Sequence, residues 1–213
     1  MKSLIEHSPK EASLGAGLLL LHSGKLCLAL DRKGISKEPL KNAMRISAIG
    51  GGLLPEEAER GDFLGAALRE AKEEAGILPE IASAKRTFFI DYDNSVREVK
   101  ISDAVKPAII FRRVYLKGPE SWQLFSASFI GKSSSRPEPI DLSGLAFLPL
   151  SALALFSKGF STIPELEIAG SHTVLNGTFP RTGKIYPFGT VDAIVSAEKS
   201  RGFSLPGLFR QRD

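Results

Sequence analysis

The sequence predicts an α/β domain in which strands precede and follow one well-marked helix. Two patterns carry this prediction. Apolar runs bounded by turn residues recur along the chain and are typical of buried strands. The segment GDFLGAALREAKEEAG, residues 61–76, has the periodicity and the end signals of an amphipathic helix instead. Hydrophobic residues make up 43% of the 213 residues, which is enough for a sizeable core.

The first strands are predicted in a hairpin and in a short run that ends in glycine. LGAGLLLLHSGKLCLALD, residues 14–31, contains two apolar runs joined by turn residues. RISAIGGG, residues 45–52, is a strand candidate that runs into three glycines. Consecutive glycines are unfavourable inside a strand, so they predict a sharp turn or a close approach of the backbone to another group. LLPEEAER, residues 53–60, is then predicted to be a loop.

The predicted helix has a signal at each end. Asp62 is a candidate N-cap, and Gly76 is a candidate stop signal. The apolar stripe at helical spacing consists of Leu64, Ala67, Leu68, Ala71 and Ala75.

Further strands are predicted after the helix, and the texture changes near residue 158. The strand candidates lie within 84–92, 104–116, 122–131 and 142–150, and a short helix is expected in SALALF, residues 151–156. From residue 158 onward glycine, proline, serine and threonine become frequent and no clear period remains. We therefore expect a main domain of residues 1–157 and an irregular C-terminal extension, residues 158–213, packed on the same domain.

Composition bounds the function. The chain carries 28 Lys and Arg against 24 Asp and Glu, a net charge of +4, without a long basic run, so no specific nucleic-acid partner is expected. The single cysteine, Cys27, excludes an intramolecular disulfide, which fits a reducing compartment, and its apolar neighbours predict a buried strand residue. No stretch reaches the roughly 18 apolar residues that a membrane helix needs. We expect a cytoplasmic protein without a membrane partner.

Three glutamates of the predicted helix, Glu70, Glu73 and Glu74, fall on one face because residues three and four apart are neighbours. Like charges at this spacing cost about 0.2–0.5 kcal/mol per pair. A solvated acidic face would tolerate that cost, whereas a hard cation such as Mg²⁺ or Mn²⁺ would neutralise it. The preceding glycines favour the cation, because they let backbone atoms approach an ion or a phosphate.

The residues around these glutamates resemble the Nudix hydrolase family. The family signature runs glycine, five residues, Glu, seven residues, then Arg-Glu-apolar-any-Glu-Glu-any-Gly-apolar. REAKEEAGI, residues 69–77, is similar to its second half without a gap. Gly51 and Glu57 fit the opening, but eleven residues then separate Glu57 from Arg69, so this part carries an insertion. Asp62 is the alternative to Glu57 as the first acid.

The resemblance implies an α/β/α sandwich around a mixed β-sheet and covers residues from about 10 to 157. It implies that Glu70, Glu73 and Glu74 bind Mg²⁺ or Mn²⁺ together with a backbone carbonyl of Gly51 or of its neighbour Gly50. Glu70 and Glu73 would also be catalytic, with Glu70 orienting water, and Arg69 would hold the acidic cluster through ion pairs. The expected reaction is hydrolysis of a diphosphate linkage in a nucleoside diphosphate derivative, such as ADP-ribose, a sugar nucleotide or a nucleoside triphosphate.

Several points stay open at this stage. The general base is one of Glu98, Glu138 and Asp141. Candidates for stacking on a base are Phe89, Tyr92 and Trp122. A homodimer is expected from the resemblance. The competing hypotheses are a nucleotide-binding or regulatory module of the same fold without turnover, and a nucleic-acid-binding protein whose acidic helix is merely solvated.

Overall fold

The computed structural model describes residues 2–32, 43–117 and 120–198, together with Phe203 and Phe209. The strands in these ranges are β1 (Ser13–His22), β2 (Lys25–Asp31), β3 (Ala43–Ser47), β4 (Ile49–Gly52), β5 (Glu80–Ala82), β6 (Thr87–Ile90), β7 (Val96–Val99), β8 (Ile109–Lys117), β9 (Glu120–Lys132), β10 (Gly144–Leu148), β11 (His172–Leu175) and β12 (Lys184–Pro187). The helices are α1 (Pro55–Arg60), α2 (Phe63–Ala75), α3 (Ile163–Ile168) and α4 (Thr190–Ala197), with 3₁₀ helices at Ile5–His7 and Leu150–Lys158.

The strands form one mixed sheet, with the central order β11-β10-β2-β1-β9-β8-β6-β7. Strand β1 runs antiparallel to β2 and parallel to β9. The strand β4 also pairs with β1, along the half of β1 that β2 leaves uncovered. The sheet therefore contains both kinds of pairing, and the predicted mixed sheet is confirmed.

The predicted hairpin is confirmed in β1 and β2. Ser23 and Gly24 connect these strands, and both have positive φ angles, 49° and 76°. Positive φ at both central residues is the geometry of a two-residue hairpin turn, which favours glycine. Cys27 is fully buried in β2, as expected, and burial raises the pKa of its thiol to about 12.

Helices cover both faces of the sheet. Leu18 of β1 packs in the same apolar cluster as Phe63 of α2, whereas its neighbour Leu19 packs in a second cluster with Ile194 of α4. Because successive strand residues point to opposite faces, α2 and α4 lie on opposite sides of the sheet. The predicted α/β/α sandwich is therefore confirmed. No helix in the described ranges is long and apolar enough to cross a membrane.

The region after residue 157 differs from the irregular extension that was expected. It contains α3, α4, β11 and β12, and β12 pairs in parallel with β3, placing Lys184 beside Ala43. The short helix expected after Pro149 is present, but as a 3₁₀ helix. A partner strand so distant in the sequence leaves no local periodicity to detect, which explains the irregular pattern. The boundary at residue 157 stays a prediction, and residues 199–202, 204–208 and 210–213 lie outside the described part.

Candidate active site

The three glycines form strand β4 rather than the sharp turn that was one of the two expectations. The other expectation, a close approach of the backbone, is what the structure contains. A Cβ atom on Gly50 would lie 2.2 Å from the carbonyl oxygen of Ala16 in β1. A Cβ atom on Gly51 would lie 2.4 Å from Oε1 of Glu70. Glycine at Gly51 thus lets a carboxylate of α2 lie directly against the strand.

Helix α2 begins and ends where the sequence predicts. The carboxylate of Asp62 accepts a hydrogen bond of 2.8 Å from the backbone N–H of Gly65, and Gly76 ends the helix with a φ of 68°. The buried face differs slightly from the predicted stripe, since Leu64 and Leu68 are only half-buried. The fully buried residues of α2 are Phe63, Ala66, Ala67, Ala71 and Ala75. The four alanine side chains are small and let the helix lie close to the sheet, so its acidic edge is held beside β4.

Arg69 gathers three of the nearby carboxylates. Its Nη1 donates to Oε1 of Glu70 at 2.8 Å and to Oε2 of Glu73 at 3.0 Å. Its Nε and Nη2 donate to the two carboxylate oxygens of Glu57 at 2.9 and 3.1 Å. Nη2 also donates to the carbonyl oxygen of Gly52 at 3.0 Å. A single guanidinium therefore ties α1, α2 and β4 together.

The structure brings Glu57, and not Asp62, into contact with Arg69. Glu57 is 7% exposed and also accepts a hydrogen bond of 2.8 Å from the backbone N–H of Leu54. The hydrogen bond from Arg69 outweighs burial and holds the pKa of Glu57 below its usual value, and the same bond raises the pKa of Arg69. The residues expected to be a loop form the short helix α1, which accommodates the insertion and returns Glu57 to α2.

Glu74 is held by the glycine strand. Its Oε2 accepts a hydrogen bond of 3.0 Å from the backbone N–H of Gly50. The side chain of Glu70 is 14% exposed and that of Glu73 is 56% exposed, so the cluster opens to solvent at Glu73. No group of three or more His, Cys, Asp or Glu side chains within the described ranges is arranged to hold a metal ion. In this structure the glutamates are instead paired with Arg69 and with the backbone.

The three candidates for a general base occupy two different places. Glu98 lies in β7, half exposed, and forms an ion pair with Arg86 at 2.8 Å. Glu138 is exposed, but its backbone N–H donates to the carbonyl oxygen of Ala75 at 3.1 Å, which joins its loop to the end of α2. Asp141 is exposed and lies three residues further along the same loop. Glu98 is therefore paired with Arg86, whereas backbone hydrogen bonds join the loop of Glu138 and Asp141 to the end of α2, and the role of all three stays a prediction.

A cavity of about 270 Å³ adjoins the glycine strand. The glycines of β1 and β4 form part of its wall, and aromatic rings form another part. Of the three stacking candidates, Trp122 lines the cavity, Phe89 is buried in the core, and Tyr92 is 64% exposed beside Arg112. The sequence analysis missed the further lining residues Phe111, Ser126, Phe188 and Thr190.

Comparison with known proteins finds similarity in structure only. No family model and no curated protein matches the chain. A MutT NUDIX hydrolase from Burkholderia pseudomallei aligns over 67% of this chain and 86% of its own, with 16% identity and a TM-score of 0.38. A NUDIX hydrolase from Alicyclobacillus acidocaldarius aligns over 71% and 85%, with 14% identity and a TM-score of 0.41. The MutT protein from Methanosarcina mazei Go1 aligns over 68% and 83%, with 12% identity and a TM-score of 0.41.

The chain is similar to the Nudix hydrolases. Identities this low carry no information on substrate or activity, since one fold hosts many functions. What this chain's own residues add is the position of its Nudix-like segment. The matched residues 69–77 lie on the second half of α2 and just beyond it, while the lengthened first half of the Nudix pattern runs from the end of β4 through α1 to the first part of α2.

Proposed function

We propose that this protein is a Nudix-type pyrophosphohydrolase that cleaves a diphosphate linkage in a nucleoside diphosphate derivative with the help of Mg²⁺ or Mn²⁺. The observation that carries this proposal is the contact between the carboxylate of Glu70 and Gly51 of the glycine strand, with Glu73 and Glu74 on the same helix edge. This arrangement sets hard oxygen donors beside the backbone of β4, and the three glycines of that strand also line a cavity.

The chemical type of these residues fits a divalent cation, although the described acids are paired with Arg69 and the backbone and are not grouped around an ion. All the side-chain donors are carboxylates, which is the ligand type that Mg²⁺ and Mn²⁺ prefer. The absent Cβ of Gly51 leaves Glu70 and the backbone in contact, which supports a shared ion. Glu70, Glu73, Glu74 and the carbonyl of Gly51 would hold it. A bound ion would polarise water and neutralise the charge that develops on the phosphoryl group.

The protein's own groups then have separate roles. Glu70 would orient the attacking water and one of the three general-base candidates named above would accept its proton, while the water oxygen bonds to one phosphorus and the bridging P–O bond breaks. Glu73, the most exposed of these acids, would face the incoming substrate. Arg69 would act as a positioning residue, because its hydrogen bonds to Glu57 hold it while it holds Glu70 and Glu73.

The test is turnover by the purified protein on ADP-ribose, a sugar nucleotide and the nucleoside triphosphates, with Mg²⁺ or Mn²⁺. We expect cleavage that stops when EDTA removes the metal. Glu70→Gln should lower kcat by about 10²-fold, the cost of a misplaced reacting group, because the attacking water would lose the carboxylate that orients it. Glu80→Gln, a change at an exposed glutamate of β5, is the matched control and should leave kcat unchanged. Absence of cleavage of every compound would overturn the proposal.

A binding or regulatory module without turnover is the second candidate. It is favoured by one observation, the pairing of Glu57, Glu70 and Glu73 with Arg69 in place of a ready metal-binding group. Calorimetry separates the two candidates. If the protein is a binding module, the wild type and Glu73→Gln should bind nucleotide with the same affinity. Neither protein should then form cleavage products. The cytoplasmic location, the homodimer and the nucleotide-type substrate stay predictions.

A further inference from the structure

The cavity beside β4 lies on the side of the sheet opposite α2. Gly15 and Gly17 of β1 form its floor, and Ser126 of β9 stands beside Gly15 in the sheet. The segment Phe188–Thr190, between β12 and the start of α4, forms the facing wall. The same strand β4 thus contacts the acidic cluster through Gly51 and borders the cavity through all three glycines.

The chemistry of the lining points to a flat, uncharged group. None of the described residues that line the cavity carries a charged side chain. A phosphate would therefore find no counter-charge there, whereas an aromatic ring would meet the rings of Phe111, Trp122 and Phe188. Sites for whole drug-sized ligands usually measure about 300–1,000 Å³. A cavity of about 270 Å³ fits one ring system rather than an entire nucleotide.

Two neighbouring side chains, Arg45 and Tyr115, hold the ring of Phe188 in place. The guanidinium of Arg45 lies over it at 4.6 Å from the ring centre, and Arg45 is itself bound to Asp31 at 3.0 Å. Tyr115 packs against Phe188 with ring centres 5.2 Å apart and stacks on Trp122 at 4.8 Å. The aromatic wall is therefore in place before a ligand enters, which lowers the entropic cost of binding.

Ser126 supplies a polar group inside this cavity. The residue is 6% exposed, and its Oγ has no hydrogen-bond partner among the described residues. A Cβ atom on Gly15 would lie 3.2 Å from that oxygen, so the hydroxyl points over the glycine floor. Ser126 Oγ is not among the buried unpaired polar atoms of the described residues, so it is open to the cavity, and a ligand there can form a hydrogen bond with it.

We propose that this cavity binds the nucleobase of the substrate, with Trp122 and Phe188 as stacking partners and Ser126 as a hydrogen-bonding group. The proposal rests on the proposed function for the identity of the substrate. It adds that the region after residue 157 supplies a specificity-determining residue, Phe188, to a reaction whose acids lie in the first half of the chain. Bases stack on aromatic side chains because both present flat π faces.

The experiment uses the full chain, whose only tryptophan is Trp122. Tryptophan fluorescence is titrated with adenosine, guanosine, cytidine and uridine in the absence of metal. We expect saturable quenching by at least one nucleoside, and none by ribose 5-phosphate. Phe188→Ala should weaken that affinity at least about fivefold, the lower range for loss of one base-stacking partner. Phe188→Tyr, which keeps the ring, should restore most of it.

Two further variants keep the result specific. Ser126→Ala should lower the affinity for one nucleoside more than for the others, because the substitution removes one hydrogen bond. Phe160→Ala changes an aromatic residue of the same region that lies against Tyr186 and Lys184, outside the cavity lining, and should bind as the wild type does. If the circular dichroism spectrum of Phe188→Ala differs from that of the wild type, this variant is not correctly folded. The titrations of the wild type and of Ser126→Ala then test the base site.

The outcomes separate this inference from the proposed function. Quenching by decanoate but by no nucleoside would show an apolar-chain site and overturn the inference. So would diphosphate cleavage whose KM is the same in Phe188→Ala and the wild type. A third outcome is that the wild type binds a nucleoside, with an affinity that Phe188→Ala lowers, and cleaves no diphosphate. That result would support the base site and contradict the proposed hydrolase activity.

Discussion

Gly50 and Gly51 are neighbours in β4, yet a methyl group on each would meet different atoms. On Gly50 it would collide with the backbone of β1, at Ala16 and Gly17, which cannot move without displacing the strand. On Gly51 it would collide with the end of the Glu70 side chain, which can rotate away. The two glycines therefore serve different purposes, one for the fold and one for the site.

This difference predicts opposite effects of two alanine substitutions. Gly50→Ala should lower the free energy of unfolding by about 1–3 kcal/mol or more, as overpacking does. Gly51→Ala should leave the melting temperature nearly unchanged but lower turnover, because Glu70 must leave the strand. Gly52→Ala, which meets only an ordinary contact at 3.9 Å, is the stability control. Thermal melts and kcat measurements check all three, and equal destabilisation by Gly50→Ala and Gly52→Ala would contradict the prediction.

At the scale of elements, α1 and α2 explain how a lengthened signature still assembles. Asp62 caps α2 by accepting a hydrogen bond from Gly65, while Glu57 of α1 reaches Arg69. The two acids that sequence analysis could not tell apart thus have separate functions.

Substitution of each acid should reveal that separation. Asp62→Ala removes an N-cap and should cost about 0.5–2 kcal/mol of stability without changing kcat of the folded protein. Glu57→Gln keeps the shape but removes the charge that holds Arg69, and should lower activity by about 10–100-fold, as loss of a supporting group around a metal site does. Urea unfolding and kinetics on both variants provide the check. A larger kcat loss in Asp62→Ala than in Glu57→Gln would reverse the assignment.

The elements that could be predicted are those with local signals. Helix α2 was predicted from its cap, its stop glycine and its periodicity, and the first hairpin from its turn residues. Strand β12 could not be predicted, because its order comes from pairing with β3 through contacts such as Lys184 to Ala43. The spacing of Val191, Ile194 and Val195 would have indicated α4, but eight residues give a weak periodic signal. Ser126 and Phe188 were missed for the same reason, since only the folded sheet brings them together.

At the scale of the whole molecule, the region after residue 157 covers one face of the sheet. Val191, Ile194 and Val195 of α4 are buried in the same cluster as Ile109 and Phe111 of β8. Burial of such side chains contributes about 1.5–3 kcal/mol each. Since proteins are stable by only about 5–15 kcal/mol in total, the main domain should depend on this layer.

A chain truncated after residue 157 should therefore fail to unfold cooperatively and should bind a dye for exposed apolar surface. The reason is that the face beneath α4 would be open to water. Calorimetry and dye fluorescence on the truncated and full-length proteins provide the measurement. A sharp thermal transition for the truncated chain, close to that of the full chain, would establish residues 1–157 as an independent domain.

A polar network joins the same layer to the sheet. Buried Arg113 donates to Asp192 of α4 at 3.2 Å and to the carbonyl oxygen of Asp91 at 2.8 Å, and Arg112 binds the Asp91 carboxylate through two hydrogen bonds. Burial raises the pKa of Asp91, but the hydrogen bonds from Arg112 and from the N–H of Tyr92 outweigh it, so the pKa is lowered overall. The folded state therefore favours the charged form of this carboxylate.

That pKa shift predicts an acid-dependent loss of stability. The stabilisation is complete above the unfolded pKa of Asp, about 3.9, and is lost as the pH falls through the lower folded value. Asp91→Asn should be less stable than the wild type at pH 7, and the difference should shrink as the pH falls below about 4. Urea unfolding of both proteins at pH 7 and below about pH 4 tests this prediction. A stability difference between wild type and variant that grows in acid would contradict it.

The parallel pairing of β12 with β3 has a consequence for how such a protein could be re-tuned. Ladder hydrogen bonds join backbone atoms, so they tolerate changes of side chain that leave the strand intact. We therefore expect the stretch from β12 to the start of α4 to tolerate exchange for another sequence of the same length, and this stretch lies far along the chain from the acids of α2. If the cavity binds a nucleobase as proposed, we expect such an exchange to alter which base is selected and to leave the proposed metal site on α2 unchanged.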